Sequence, residues 1–163
     1  MLLSILSALA LSQQPAPPSC EGEAYDDFDF WAGRWDVHNP QGQKVGENVI
    51  AYEEEGCLLV ERWTAANGTT GQSYNYYDPA KDRWRQVWVA RGSIIDYEGG
   101  LDEDGAMALE GTLTPRAGGK PQPFRGRWTP RDDGSVQQTF WLRNTESGEW
   151  DVWFDGNYRR QSD

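Results

Sequence analysis

An all-β, antiparallel up-and-down β-barrel of about ten strands with a short N-terminal helical plug is the fold this sequence predicts, and three observations predict it. From about residue 33 onward apolar residues recur with period two, the spacing of strands and not of helices. Clusters of Pro, Gly, Asn and Asp punctuate that pattern at regular intervals, as hairpin turns do. The connections are short throughout, without the long crossings of a Greek key, and closing such a meander on itself removes both edge strands.

The elements follow in order. Tyr25-Asp26-Asp27-Phe28-Asp29-Phe30-Trp31 is the one helical candidate, short and aromatic enough to plug one end of the barrel. Strands are expected over 34–38, 44–54, 57–65, 71–78, 83–91, 93–101, 106–113, 123–129, 135–143 and 149–159. Asn39-Pro40-Gln41-Gly42, Asp78-Pro79-Ala80-Lys81-Asp82, Asp102-Glu103-Asp104-Gly105, Arg131-Asp132-Asp133-Gly134 and Thr145-Glu146-Ser147-Gly148 supply turns between them. Alternation assigns some faces: Trp150, Val152 and Phe154 inward on the last strand, with Val136, Gln138, Phe140 and Leu142 sharing a face on the one before. Ile95, Tyr97, Gly99 and Leu101 share another, and Phe124, Gly126 and Trp128 a third. The strands holding Glu61 and Trp63, Tyr74 and Tyr76, and Trp84, Gln86 and Trp88 have mixed faces. There, either aromatic residues stand outside or polar ones are held inside.

Composition sets further bounds. The 163 residues suit one domain, and 13% aromatic content, with nine Trp, is unlike a disordered acidic chain. A net charge of −11 repels nucleic-acid backbones and anionic lipid, so neither is an expected partner. Residues 1–19 carry no charged side chain, and Leu2–Leu11 has the length of a signal-peptide apolar core. The expected organisation is therefore a signal peptide and Pro-rich spacer over 1–19 and a barrel domain over 20–163, exported to the periplasm or secreted, with no membrane insertion after signal removal. The plainer reading of the first stretch is a short apolar helix packed on the domain. Cys20 and Cys57, the only two cysteines, are an even pair beyond the cleavage region, and a disulfide between them is expected in an oxidising compartment. Two unpaired thiols are the plainer reading, and lipid attachment on Cys20 is a third, for which Pro17-Pro18-Ser19 is a poor lipobox.

Gly33-Arg34-Trp35, at the start of the meander and behind a short aromatic helix, is similar to the G-x-W that opens the first strand of lipocalins and related calycin barrels. In that family a basic side chain of the closing strand packs over the Trp, which implies Arg159 or Arg160 on Trp35. The body from about 25 to 160 also resembles a bacterial family of exported, lipocalin-like domains of unknown function. It does so through Phe28-Asp29-Phe30-Trp31-Ala32-Gly33-Arg34-Trp35-Asp36-Val37, Tyr76-Tyr77-Asp78-Pro79, Trp84-Arg85-Gln86-Val87-Trp88, Glu98-Gly99-Gly100 and Phe154-Asp155-Gly156. The resemblance implies a barrel with a ligand cup and carries no established activity. Nitrobindin-type barrels hold haem through a His. The lone His38, beside a turn, does not match them, and no cofactor is expected.

Glu61, Gln86 and Gln138 are the polar residues expected inside, each sharing a face with aromatic side chains: Trp63, then Trp88, then Phe140. An aromatic wall with a few polar groups is the make-up of a small-molecule pocket, and these six residues form the candidate ligand site. The plainer reading is an internally paired polar network or a solvent-facing strand face. No Ser–His–Asp set, nucleotide loop or metal-ligand spacing is present, so no catalytic or metal residue is assigned. Asp102-Glu103-Asp104 does not continue into a calcium loop and reads as a solvated turn. The leading function is an exported barrel binding a small apolar or aromatic ligand. One alternative is an acid–base enzyme of lyase or isomerase type, with Glu61 and Tyr74 or Tyr77 as its groups. The other is a structural exported domain with no ligand.

Overall fold

The computed structural model describes residues 19–162. The expected signal peptide and spacer lie outside the described residues, apart from Ser19. Ten strands form one closed antiparallel barrel in which every sequence neighbour is a sheet neighbour and the last strand pairs with the first. They are β1 (Gly33–His38), β2 (Lys44–Glu53), β3 (Leu58–Ala65), β4 (Thr70–Asp78), β5 (Arg83–Ala90), β6 (Ser93–Leu101), β7 (Met107–Pro115), β8 (Gln122–Pro130), β9 (Val136–Arg143) and β10 (Trp150–Arg160). Closure comes from Trp35 opposite Arg160 and Val37 opposite Tyr158.

The turns do what their residues suggest. Asn39 Oδ1 accepts from the backbone N–H of Gln41 and Gln43, and Asp102 Oδ1 accepts from Asp104 and Ala106. The acidic cluster at 102–104 is held by Arg127, whose Nε lies 2.7 Å from Asp102 and whose Nη2 lies 2.9 Å from Asp104. Among the described residues no group of three or more His, Cys, Asp or Glu is placed to hold a metal ion, and no helix is long and apolar enough to cross a membrane.

The expected N-terminal helical plug is present, in two pieces and not as one helix over 25–31. It is a four-residue helix, α1 (Glu23–Asp26), followed by a 3₁₀ turn, Asp29–Trp31. So short a helix does not propagate on its own, and its acidic residues have no basic partner in the last turn. What fixes the segment is tertiary. Phe28 and Trp31 are fully buried across the barrel end, stacked with centroids 4.9 Å apart. Trp84 and Trp128 stand edge-on to Phe28 at 5.6 and 5.3 Å. Indole N–H groups latch the segment: Trp84 Nε1 donates to Ala24 O and Trp35 Nε1 to Trp31 O, both at 2.9 Å. The Cys20–Cys57 disulfide, 37 residues apart in sequence, ties the segment to the turn that leads into β3.

Arg160 caps the same end, its guanidinium 4.4 Å from the centre of the Trp35 ring and its Nη1 donating to Ala32 O. This explains Gly33. Its φ of +145° disfavours other residues, and a Cβ there would strike Arg160. Arg159, the other candidate for this role, is exposed on the opposite face of the strand, because neighbours in a strand alternate.

β10 corrects one expectation. Trp150 and Val152 do not point inward. The register with β9 shifts between Val152 and Phe154, leaving Trp153 as an extra residue. A bulge exchanges the faces on either side of it. Val152 therefore stands 61% exposed outside, Trp150 lies under the Arg125 guanidinium on the outer wall, and Phe154, Gly156 and Tyr158 turn inward. Leu101, at the end of β6, is exposed rather than inward.

Candidate functional site

The mixed strands resolve with their polar residues inside. Asn48 on β2, Glu61 on β3, Ser73 and Asn75 on β4, Gln86 on β5 and Gln138 on β9 are all buried. They are joined in one hydrogen-bonded chain. The Tyr97 hydroxyl donates to Gln86 Oε1, and Gln86 Nε2 donates to Asn75 Oδ1. Asn75 Nδ2 donates to Ser73 Oγ at 2.9 Å, and the Ser73 hydroxyl to Glu61 Oε2 at 2.6 Å. From the other side Asn48 Nδ2 donates to Glu61 Oε1 at 2.6 Å and to the Tyr158 oxygen at 3.2 Å, while the Tyr158 hydroxyl donates to Gln138 Oε1 at 2.6 Å. The chain thus runs round the barrel from β6 to β2 and on to β10 and β9. β7 and β8 complete the circle with apolar side chains, among them Leu109, Leu113, Phe124 and Trp128.

Above this chain, toward the end opposite the plug, a cavity of about 130 Å³ opens. Glu61, Trp63, Gln86, Trp88, Gln138 and Phe140 all line it, together with Ile95, Tyr97, Trp153, Phe154 and Tyr158. Three separated strands, β3, β5 and β9, bring the six together because inward positions at one height meet across a closed barrel. Four of the wall rings lie in recesses left by glycines: a Cβ on Gly46 would strike Trp63, on Gly71 Trp88, on Gly126 Phe140 and on Gly156 Phe154. The rings are thereby held back from the axis. Trp153, the bulge residue, stands 52% exposed beside the opening, edge-on to Phe124. A wider hollow lined by Arg62, Thr70, Gln72, Arg91 and Arg116 lies outside the barrel and shares only Trp63 with the cavity.

Among the described residues Glu61 is the one carboxylate on the cavity wall, and no Lys, Arg or His lines it. Burial pushes its pKa up to about 7, against the opposing pull of the hydrogen bonds from Ser73 and Asn48. The Tyr97 and Tyr158 phenols are driven well above their usual range, first by burial and then by the Glu61 charge, so both stay protonated. Asn48 Oδ1 is buried without a partner among the described residues. A turn of the Asn48 amide, whose Nδ2 now donates to Glu61, would offer this acceptor to the carboxyl when it takes up a proton.

Tyr74 and Tyr77, expected beside Glu61 in an enzyme, are elsewhere. Tyr74 is 43% exposed on the outer wall. Tyr77 donates to Asp82 at 2.6 Å and packs on Tyr25 at the plugged end. The residues that do surround Glu61 include five that sequence reasoning did not single out: Asn48, Ser73, Asn75, Tyr97 and Tyr158. Alternation offered a signal for some of them, since Ser73 and Asn75 share a face and Tyr97 shares one with Ile95.

In comparison with known proteins, no family model matches the chain and no curated protein matches it. What stands is a calycin-like closed barrel whose shape can enclose a small molecule, with a disulfide of the kind found in oxidising compartments.

Proposed function

We propose that this protein is an exported, lipocalin-like binding barrel, acting in the periplasm or outside the cell, that holds one small ligand in the cavity beside Glu61. Residues 20–163 are the binding domain and residues 1–19 its export segment. The observation that carries the reading is the union of an aromatic wall with a buried carboxylate at a single unfilled space. A core built only for stability fills its interior to close packing, and here glycines hold four rings away from the axis instead. The volume decides the ligand's size. An apolar cavity of about 150 Å³ accommodates benzene, so about 130 Å³ takes one ring or a short branched chain, with any larger part reaching past Trp153. Glu61, Gln86 and Gln138 are the polar contacts, and Trp63, Trp88 and Phe140 the apolar ones.

An acid–base enzyme is the second reading, favoured by a carboxyl that titrates near neutrality at a cavity wall. The phenols weaken it, because the Tyr97 and Tyr158 hydroxyls donate to Gln86 and Gln138, not into the open space. Native mass spectrometry of protein taken from its own host tests the binding reading, with a co-purified small molecule as the expected result. Ligand-free protein whose Trp fluorescence is also indifferent to a panel of monocyclic compounds returns the domain to a structural role.

A further inference from the structure

Resting on the reading of the barrel as a binding protein, we propose that the ligand is a small organic cation, an amine whose ammonium group pairs with Glu61 while its body lies among Trp63, Trp88, Phe140 and Phe154. Four features of the site converge on that class.

The first is the missing counter-charge. A buried carboxylate without a cationic partner is costly, and among the described residues no basic side chain lines the cavity. The ligand is what supplies the positive charge. The second is the direction of the hydrogen bonds. From Tyr97 through Gln86, Asn75 and Ser73, each donor points along the chain toward Glu61, and Asn48 donates to its other oxygen. That polarity stabilises negative charge on the carboxyl. Each oxygen has accepted one bond and keeps capacity for another, which an N–H of the ligand can fill.

The third is the wall. Aromatic faces carry negative potential and attract a cation, more strongly where water is excluded. Trp63, Trp88, Phe140 and Phe154 surround the space with such rings. A neutral alcohol can donate to Glu61 but leaves its charge uncompensated and gains nothing from the ring faces. An anion meets the carboxylate directly. The fourth is the field of the whole molecule, whose net charge of −11 draws cations toward it.

Proton linkage follows from the same groups. The groups facing Glu61 are Asn48 from β2, Ser73 from β4 and, also lining the cavity, the protonated phenols of Tyr97 on β6 and Tyr158 on β10. None of them brings a charge, so Glu61 alone sets the dependence. An ammonium ligand binds the carboxylate form and displaces the proton from any Glu61 that carries one.

Calorimetric titration of the disulfide-intact protein with three probes of one shape tests this: benzylamine, benzyl alcohol and benzoate. At pH 8 benzylamine is expected to bind about tenfold or more tighter than benzyl alcohol, with benzoate weakest. In Glu61→Gln that preference should shrink to about twofold or less. The unmutated protein supplies an independent reading: the preference for benzylamine should fall severalfold as pH drops from about 8 to about 5.5, through the Glu61 transition. Equal affinities for amine and alcohol, a preference for benzoate, or a preference that does not change with pH overturns the cation assignment and leaves the binding barrel standing. No binding of any of the three up to millimolar concentration overturns both.

Discussion

The two ends of the barrel use the same side chains to opposite effect. At the plugged end Trp31, Trp35, Trp84 and Trp128 are all 3% exposed or less, and the rings of the plug segment fill the axis. At the other end Trp63, Trp88 and Trp153 border a cavity, and two of them rest in recesses left by Gly46 and Gly71. Indole is therefore not itself the mark of a core or of a pocket. What differs is whether another element enters the axis and whether the neighbouring strand offers a glycine to lie on. Stability should reside at the first end and binding at the second.

The largest effect should come from the plugged end. Trp35→Ala removes a fully buried ring with its Arg160 contact and its bond to Trp31, and should cost roughly 3–5 kcal/mol in urea unfolding. An unchanged midpoint would place the core elsewhere. Replacing both Cys20 and Cys57 by Ser should cost about 3–4 kcal/mol, the chain-entropy value for a loop of 37 residues. Unfolding with and without reductant measures it.

Glu61 gives the third effect, through pH. Its folded pKa, about 7, lies above its ordinary 4.5. Between those values the folded state holds a proton that the unfolded state has lost, so stability falls as pH rises through the window. The full loss is on the order of 3 kcal/mol. Glu61→Gln should flatten this slope, and the Asn48 amide, with Oδ1 free, can turn to meet the new N–H group. A slope that persists in the variant assigns the titration to another group. Gly71→Ala comes next: the added methyl meets the Trp88 ring and pushes it toward the cavity, for about 1–3 kcal/mol of overpacking. A shift in Trp emission should accompany it. Trp153→Ala, at the exposed lip, should cost about 1 kcal/mol or less while still altering probe binding. A loss as large as that of Trp35→Ala would erase the contrast between the ends.

The strands were legible to within a few residues because period two and turn chemistry are local properties. The number of strands and the barrel's closure followed from them. The face of β10 was not legible, since a one-residue bulge at Trp153 leaves no compositional trace and inverts every assignment before it. Nor was most of the polar chain. On β2, Asn48 is buried on the face it shares with Ile50 while Val49 and Ala51 lie on the other, so hydropathy alone does not choose the face. Only the partners explain the burial: Asn48 reaches Glu61 and Tyr158, 13 and 110 residues away. Glu61, Gln86 and Gln138 could be singled out because aromatic residues flank them on the same face. Ser73 and Asn75 could not be placed, because tyrosines occupy both faces of their strand and alternation alone does not choose between them. The Cys20–Cys57 pairing was legible because two cysteines allow only one bridge.

The Cys20–Cys57 bridge and the Gln161 N–H on Arg34 O both lie at the plugged end. The described chain therefore enters and leaves the barrel on the same side, away from the opening. A protein cut and anchored close to Cys20 or Gln161, on a sensor chip or to a fusion partner, would present its opening to the bulk solution. The attachment itself would not screen the cavity, and in such a tether orientation is set by the fold and not by the linker.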